Sequence, residues 1–169
     1  DFSGRRICDA RVWSFFNRYA EGMEAYIPWA EGIDPDAQPL PLWVKPTRLL
    51  GVADVQAAMR DHFEGTPFAI DGQNMQQGDI GGGIWQMPYR PTPLYFELDG
   101  KRYFNERPVS TQQAGFVFVS QMRSWLPRQV GGCFWFANDD ANMAPFTPVY
   151  CCATSAPLPY NSPGSDDVT

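Results

Sequence analysis

The chain has 169 residues and a net charge of −6, and no segment gathers Lys and Arg into a phosphate-tracking run, so nucleic acid is excluded as an expected partner. At 44% hydrophobic and 15% aromatic residues it is too apolar for a disordered tail, yet no apolar run approaches the about 20 residues that span a bilayer, so no membrane anchor is expected. Sixteen prolines and fifteen glycines predict short, punctuated elements of mixed α and β type.

A first helix is predicted over residues 10 to about 26. Trp13, Phe16, Ala20 and Met23 recur there at helical spacing, and Val12, Phe15 and Tyr19 form a second stripe, so most of the circumference is expected to be buried. Pro28, Pro35, Pro39 and Pro41 then predict an extended loop. A second helix is signalled over 52–63, with Gly51 as a weak N-cap and Val55, Met59, His62 and Phe63 on one packing face. Gly65-Thr66-Pro67 stops it. Residues 71–90 show no period and predict a long surface loop.

Tyr95-Phe96-Glu97-Leu98, Asp99-Gly100 and Lys101-Arg102-Tyr103-Phe104 predict a hairpin, because Asp-Gly accepts the positive φ of a type I′ turn. Strands are expected at about 115–122, 133–138 and 146–153. Phe116-Val117-Phe118-Val119 and Phe134-Trp135-Phe136 are apolar at every position, which predicts cover on both faces of their sheet. The connections 123–132 and 139–145 suit antiparallel neighbours. Residues 1–156 form a single domain in this reading, and 157–169 a mobile tail.

Candidate chemistry is sparse. Cys8, Cys133, Cys151 and Cys152 contain no Cys-x-x-Cys pair and His62 is the sole histidine, so no zinc pattern exists and no metal is expected. Cys133, Cys151 and Cys152 lie in apolar runs, where a thiol behaves as a small buried hydrophobe. His62 is read as a packed histidine with one hydrogen bond rather than a general base, and Glu64-Gly65-Thr66 as a helix C-terminus with Gly65 left-handed and the Thr66 hydroxyl closing a turn. Asp139-Asp140 reads as a turn rather than an acid/base pair. Neither a Gly-x-Ser-x-Gly elbow nor a phosphate loop is present.

The run Asp61-His62-Phe63-Glu64-Gly65-Thr66-Pro67-Phe68, followed by Arg107-Pro108-Val109-Ser110-Thr111-Gln112-Gln113-Ala114-Gly115-Phe116, resembles the bacterial cysteine dipeptidases of the N-terminal-nucleophile (Ntn) hydrolase superfamily. Arg11-Val12-Trp13, the stretch from Gly131 to Ala141 and the strand from Pro145 to Cys151 are similar to further family stretches, in the family's order. The resemblance implies an α+β fold with α-β-β-α layering of antiparallel sheets. It also implies dipeptide hydrolysis by an N-terminal cysteine without metal or other cofactor. It carries a role beside the nucleophile to Arg11, whose alternative is a surface or salt-bridged arginine at a helix start, and does not localise substrate recognition. Thr111, Gln112 and Gln113, placed just before a buried strand, either border a substrate cleft or cap the end of the strand.

Position 1 is Asp1 rather than cysteine. The expectation is therefore an internal portion of the enzyme, partnered by its remaining N- and C-terminal segments and inactive alone. The rival reading is a noncatalytic binding or assembly module that presents Trp43, Trp85 and Tyr89 from loops. Oligomeric state and compartment stay open, because a removed leader leaves no trace.

Overall fold

Trp13 sets the arrangement of the N-terminal elements. In the computed structural model, which describes residues 8–69, 95–104, 107–111, 113–157 and 160, Trp13 is buried on α1 (Asp9–Asn17) and its indole N–H donates to the Met23 carbonyl at 2.7 Å. That bond exists because the expected long helix breaks. Gly22 takes φ 76°, a left-handed conformation that a side chain would strain. The chain then doubles back through a 3-10 turn, Met23–Tyr26, into α2, Ile27–Glu31.

Trp13, Met23 and Ala30 close into one buried cluster, so the apolar spacing over 10 to 26 reports a folded-back pair rather than one helix. Val12 remains exposed. Pro28 lies in the first turn of α2, where a missing N–H leaves no helical bond unmade, and not in the expected loop. Residues 33–51 are irregular.

α3 spans Val52–Met59, four residues shorter than the expected 52–63. Asp54 fixes its start by accepting the Gly51 N–H at 2.7 Å and a two-point ion pair from Arg48 at 2.6 and 3.0 Å. At the other end the N–H groups of Arg60 and Asp61 reach back only three residues, to Ala57 and Ala58, which tightens and ends the helix. Phe63 has φ 66°. His62 therefore does not share a helical face with Val55 and Met59. It is buried nonetheless, in the turn that follows. Gly65 is left-handed at φ 71° and the Thr66 hydroxyl donates to the Phe63 carbonyl at 2.7 Å, as expected.

β1 (Tyr95–Leu98) and β2 (Lys101–Phe104) form the predicted antiparallel hairpin, with Asp99 and Gly100 at φ 51° and 73°. A second antiparallel sheet has the order β3-β4-β5, from Phe116–Met122, Gly132–Asn138 and Thr147–Tyr150. A short helix, α4 (Arg128–Gly131), lies in the connection before β4. Mixed helix with antiparallel sheets agrees with the elements read from the residues and with the α+β class that the resemblance implies.

Val117 and Ala137, paired across β3 and β4, pack with Ala141 against Met59 of α3. The opposite face corrects the expectation of cover on both sides. Phe116 is 60% exposed and Phe118 and Phe134 are also open, stacked as an aromatic ladder with Phe118 and Phe134 rings 4.8 Å apart. Tyr160 meets Phe136 edge-on at 5.6 Å. Runs that are apolar at every position mark a face that avoids water, and among the described residues nothing else stacks on this one.

β5 ends at Tyr150, short of the expected 153, because the Ala153 N–H turns back to the Tyr150 carbonyl. Cys151 and Cys152 are consequently exposed in that turn; only Cys133 is the buried thiol expected of all three. The 71–90 loop lies outside the described residues, as does most of the 157–169 tail. No helix among the described residues is long and apolar enough to cross a membrane.

Candidate functional site

The polar centre of the molecule forms around Asp61, which is 1% exposed. Buried polar oxygens need hydrogen-bond partners, and Asp61 is well supplied. Ser14 and Arg18 stand four residues apart on the α1 face that meets it. The Ser14 hydroxyl donates to Oδ2 at 2.5 Å and the Arg18 guanidinium to Oδ1. The Phe63 N–H also donates to Oδ1, at 3.1 Å, which is the contact that holds the chain in its positive-φ turn.

Arg18 extends to Glu64 Oε2 at 3.2 Å, and Glu64 in turn receives the His62 N–H at 2.9 Å and faces His62 Nδ1 at 3.0 Å. Burial works against the Glu64 charge, but the hydrogen bonds it receives, those from the His62 N–H and ring among them, outweigh it and hold the carboxyl below the usual range. His62 is thus a buried, hydrogen-bonded side chain, as expected, though placed by a turn.

The network continues through the backbone. The Asp61 carbonyl accepts the Ser110 N–H at 3.0 Å, and the Ser110 hydroxyl donates to Asp140 Oδ1 while accepting the Asn142 N–H at 3.2 Å. Asp139 and Asp140 form the expected turn, Asp139 at φ 67°. Asp140 is nevertheless 1% exposed and serves as the far anchor of the network. Its Oδ2 has no hydrogen-bond partner among the described residues. Arg60 ties the end of α3 to the same turn, donating to the Ala141 carbonyl at 2.9 Å with its guanidinium 4.8 Å from the Phe146 ring centre.

Three of the stretches that carry the family resemblance, 61–68, 107–116 and 131–141, are therefore physically joined, and α1 joins them through Ser14 and Arg18. Sequence reasoning missed Ser14, Arg18, Ser110 and the anchoring role of Asp140. The one signal available was a pair of polar residues, Ser14 and Arg18, at helical spacing among apolar neighbours.

Arg11 lies one turn before Ser14 on α1, nearer the start of the helix. It lines a shallow cavity of 340 Å³ with Val12, Phe15, Phe16 and Val109, and its guanidinium donates to the Cys8 sulfur at 3.0 Å. Val109 is two residues before Thr111, so the fold brings Arg11 near the segment named for substrate binding. Thr111 donates its hydroxyl to the Gln113 side-chain carbonyl, and its own carbonyl takes the Ala114 N–H at 2.9 Å. Gln112 lies outside the described residues. Among the described residues no cluster of three or more His, Cys, Asp or Glu side chains has the arrangement of a metal site.

A family model described as peptidase family C69 matches residues 1–169. No curated protein and no solved structure matches the chain.

Proposed function

The chain belongs to peptidase family C69, and from that membership we propose that it is a portion of a cysteine dipeptidase, with the nucleophile an N-terminal cysteine outside these 169 residues. The observation that carries the reading is the family match over residues 1–169.

In this reading the free α-amine of the first residue takes the thiol proton, and the thiolate attacks the scissile carbonyl of a dipeptide. Collapse of the tetrahedral adduct expels the second amino acid, whose amine leaves with the proton. Water then cleaves the acyl-enzyme and regenerates the thiol. Arg11 assists beside the nucleophile, and Thr111, Gln112 and Gln113 border the cleft. The cavity that sets Arg11 beside Val109 supports grouping them. In this reading the polar network around Asp61 supplies rigidity rather than reacting atoms, since the Ser14 and Ser110 hydroxyls are both donated to its carboxylates.

The bare phenylalanine face of β3 and β4 supports the partner in this proposal, the remaining segments of the same enzyme, because exposed apolar area of this kind marks a surface that another layer covers. That face also favours the second reading, a noncatalytic assembly module. Two measurements on the native protein decide between them: N-terminal sequencing with intact mass, and hydrolysis of a dipeptide panel. The dipeptidase reading expects a leading cysteine and hydrolysis that survives a metal chelator but is abolished by thiol alkylation. Hydrolysis that persists after alkylation would overturn it, and a native chain without any leading cysteine and without hydrolysis would leave the module.

A further inference from the structure

Sulfur gathers at one end of the β3-β4-β5 sheet, on residues that have no part in the proposed hydrolysis. Met122 ends β3 and pairs with Gly132, which opens β4. Cys133 pairs with Tyr150, so the chain leaving β5 sets Cys151 beside Gly132, and the Cys151 thiol leans on the Gly132 carbonyl at 3.9 Å. Met122, Gly132 and Cys151 therefore form one row across three strands, one step beyond Phe134, and residues in register across an antiparallel sheet share a face.

Gly132 is what lets the sulfurs approach. A Cβ at that position would stand 3.1 Å from Cys151 Sγ and 3.7 Å from Met122 Sδ, so thiol and thioether flank the space that a side chain would fill. Met122 is 77% exposed and Cys151 is open as well. Cys152 follows directly. The Ala153 N–H donates to the Tyr150 carbonyl at 3.0 Å, which makes Cys151 and Cys152 the two central residues of a tight turn. Their Cα atoms are thus about 3.8 Å apart, and both thiols are free and exposed.

Thiolate and thioether are soft donors, which suit Cu(I), zinc or an iron–sulfur cluster. Zinc and the cluster require three or four ligating Cys, His or acidic side chains, and among the described residues no His, Asp, Glu or further Cys joins these two thiols as a third. Cu(I) needs no such partner, because a thioether completes a soft set for it. We propose that Cys151, Cys152 and Met122 form a surface site for Cu(I), with the ion held by the two thiolates and the thioether beside Gly132. Binding displaces both thiol protons to solvent, since the thiolate is the ligand, and no electron is transferred. The site goes beyond the peptidase reading and does not depend on it.

Anaerobic titration of the reduced native protein with Cu(I), in competition with a coloured Cu(I) chelator, tests the site. The parent is expected to take one Cu(I) per chain from the chelator and to show three sulfur neighbours around copper by X-ray absorption. Cys151→Ser combined with Cys152→Ser should abolish that uptake. Met122→Leu should weaken it about tenfold, the low end of what a lost partner costs at a metal site, and leave two sulfur neighbours. Gly132→Ala keeps all three sulfurs but fills the space between them, and should weaken binding by a similar factor. Its backbone, at φ −98° and ψ 132°, accepts a side chain, so the loss reads the closed gap, and circular dichroism will verify the fold.

A parent that takes no copper from the chelator, or uptake that survives the loss of both thiols, would overturn the site. So would parent-like affinity in both Met122→Leu and Gly132→Ala, which would reduce it to two exposed thiols.

Discussion

Around Asp61, polar atoms from α1, from the turn after α3, from Ser110 and from the turn after β4 are withdrawn from water and paired within the chain. On β3 and β4, phenylalanine rings are exposed and, among the described residues, stack on one another and on Tyr160. The expensive burial, of polar groups, is paired within the chain save at Asp140 Oδ2; the inexpensive one, of hydrocarbon, is left open on this face. Hydrogen-bond geometry fixes positions, whereas an apolar layer can pack on any face of suitable form.

The largest expected effect that would break this contrast lies at Asp61. Asp61→Ala strands the Ser14 hydroxyl, the Phe63 N–H and the Arg18 charge, and should cost about 3 kcal/mol of stability, the lower end for breaking a buried ion pair, since Arg18 keeps some solvent. Urea unfolding of the variant beside the parent measures it, and a loss under about 1 kcal/mol, the scale of a surface pair, would mean that the network is not the structural centre.

Next is the open face. Phe116→Ala in this chain should cost roughly 1 kcal/mol or less, since only ring stacking is lost. If the proposed remaining segments pack a layer on the face, the same change in their presence should cost about 3–5 kcal/mol. Equal losses in the two contexts would argue that nothing covers the face.

The smallest effect sharpens the contrast by moving a carboxylate to the surface. Asp54, held by Arg48 first and by the Gly51 N–H, has its pKa lowered to about 2. Its folded value lies below the unfolded one, so its contribution is present above about pH 4 and disappears as the pH falls through about 2. The thermal midpoints of the parent and of Asp54→Asn should differ slightly at pH 6 and converge by pH 2. A constant gap over that range would assign the stabilisation to something other than the charge.

How much of this was written locally can be judged element by element. The hairpin was legible because Asp99-Gly100 can tolerate two successive positive φ values, and the three strands because their apolar runs are bounded by turns. The helix breaks were not. Gly22 looks like any glycine until its φ is known, and the periodic residues on either side of it pack as well on a doubled-back chain as on a continuous helix. The end of α3 depends on Asp61, whose partner Ser14 lies 47 residues away, so no window around residue 60 contains the reason.

The site was less legible than the fold. Arg11 was found by resemblance, and the cavity that places it near Val109 is a property of packing alone. Met122 and Cys151 look unrelated in the sequence, and only the register of β3, β4 and β5 sets their sulfurs beside Gly132. Cover on both sheet faces was inferred from composition, which records what a face avoids but not whether another layer of this chain reaches it.

The network around Asp61 also dictates an order of assembly. Helical turns and the β1–β2 hairpin join near neighbours and form within microseconds, whereas the Ser14 to Asp61 and Ser110 to Asp140 contacts close spans of 47 and 30 residues. Such closures come late and slow the chain as a whole. Until they form, Asp61 and Asp140 remain hydrated carboxylates, so the early collapsed chain carries its charge on the outside, where it keeps neighbouring chains from adhering through their phenylalanine faces.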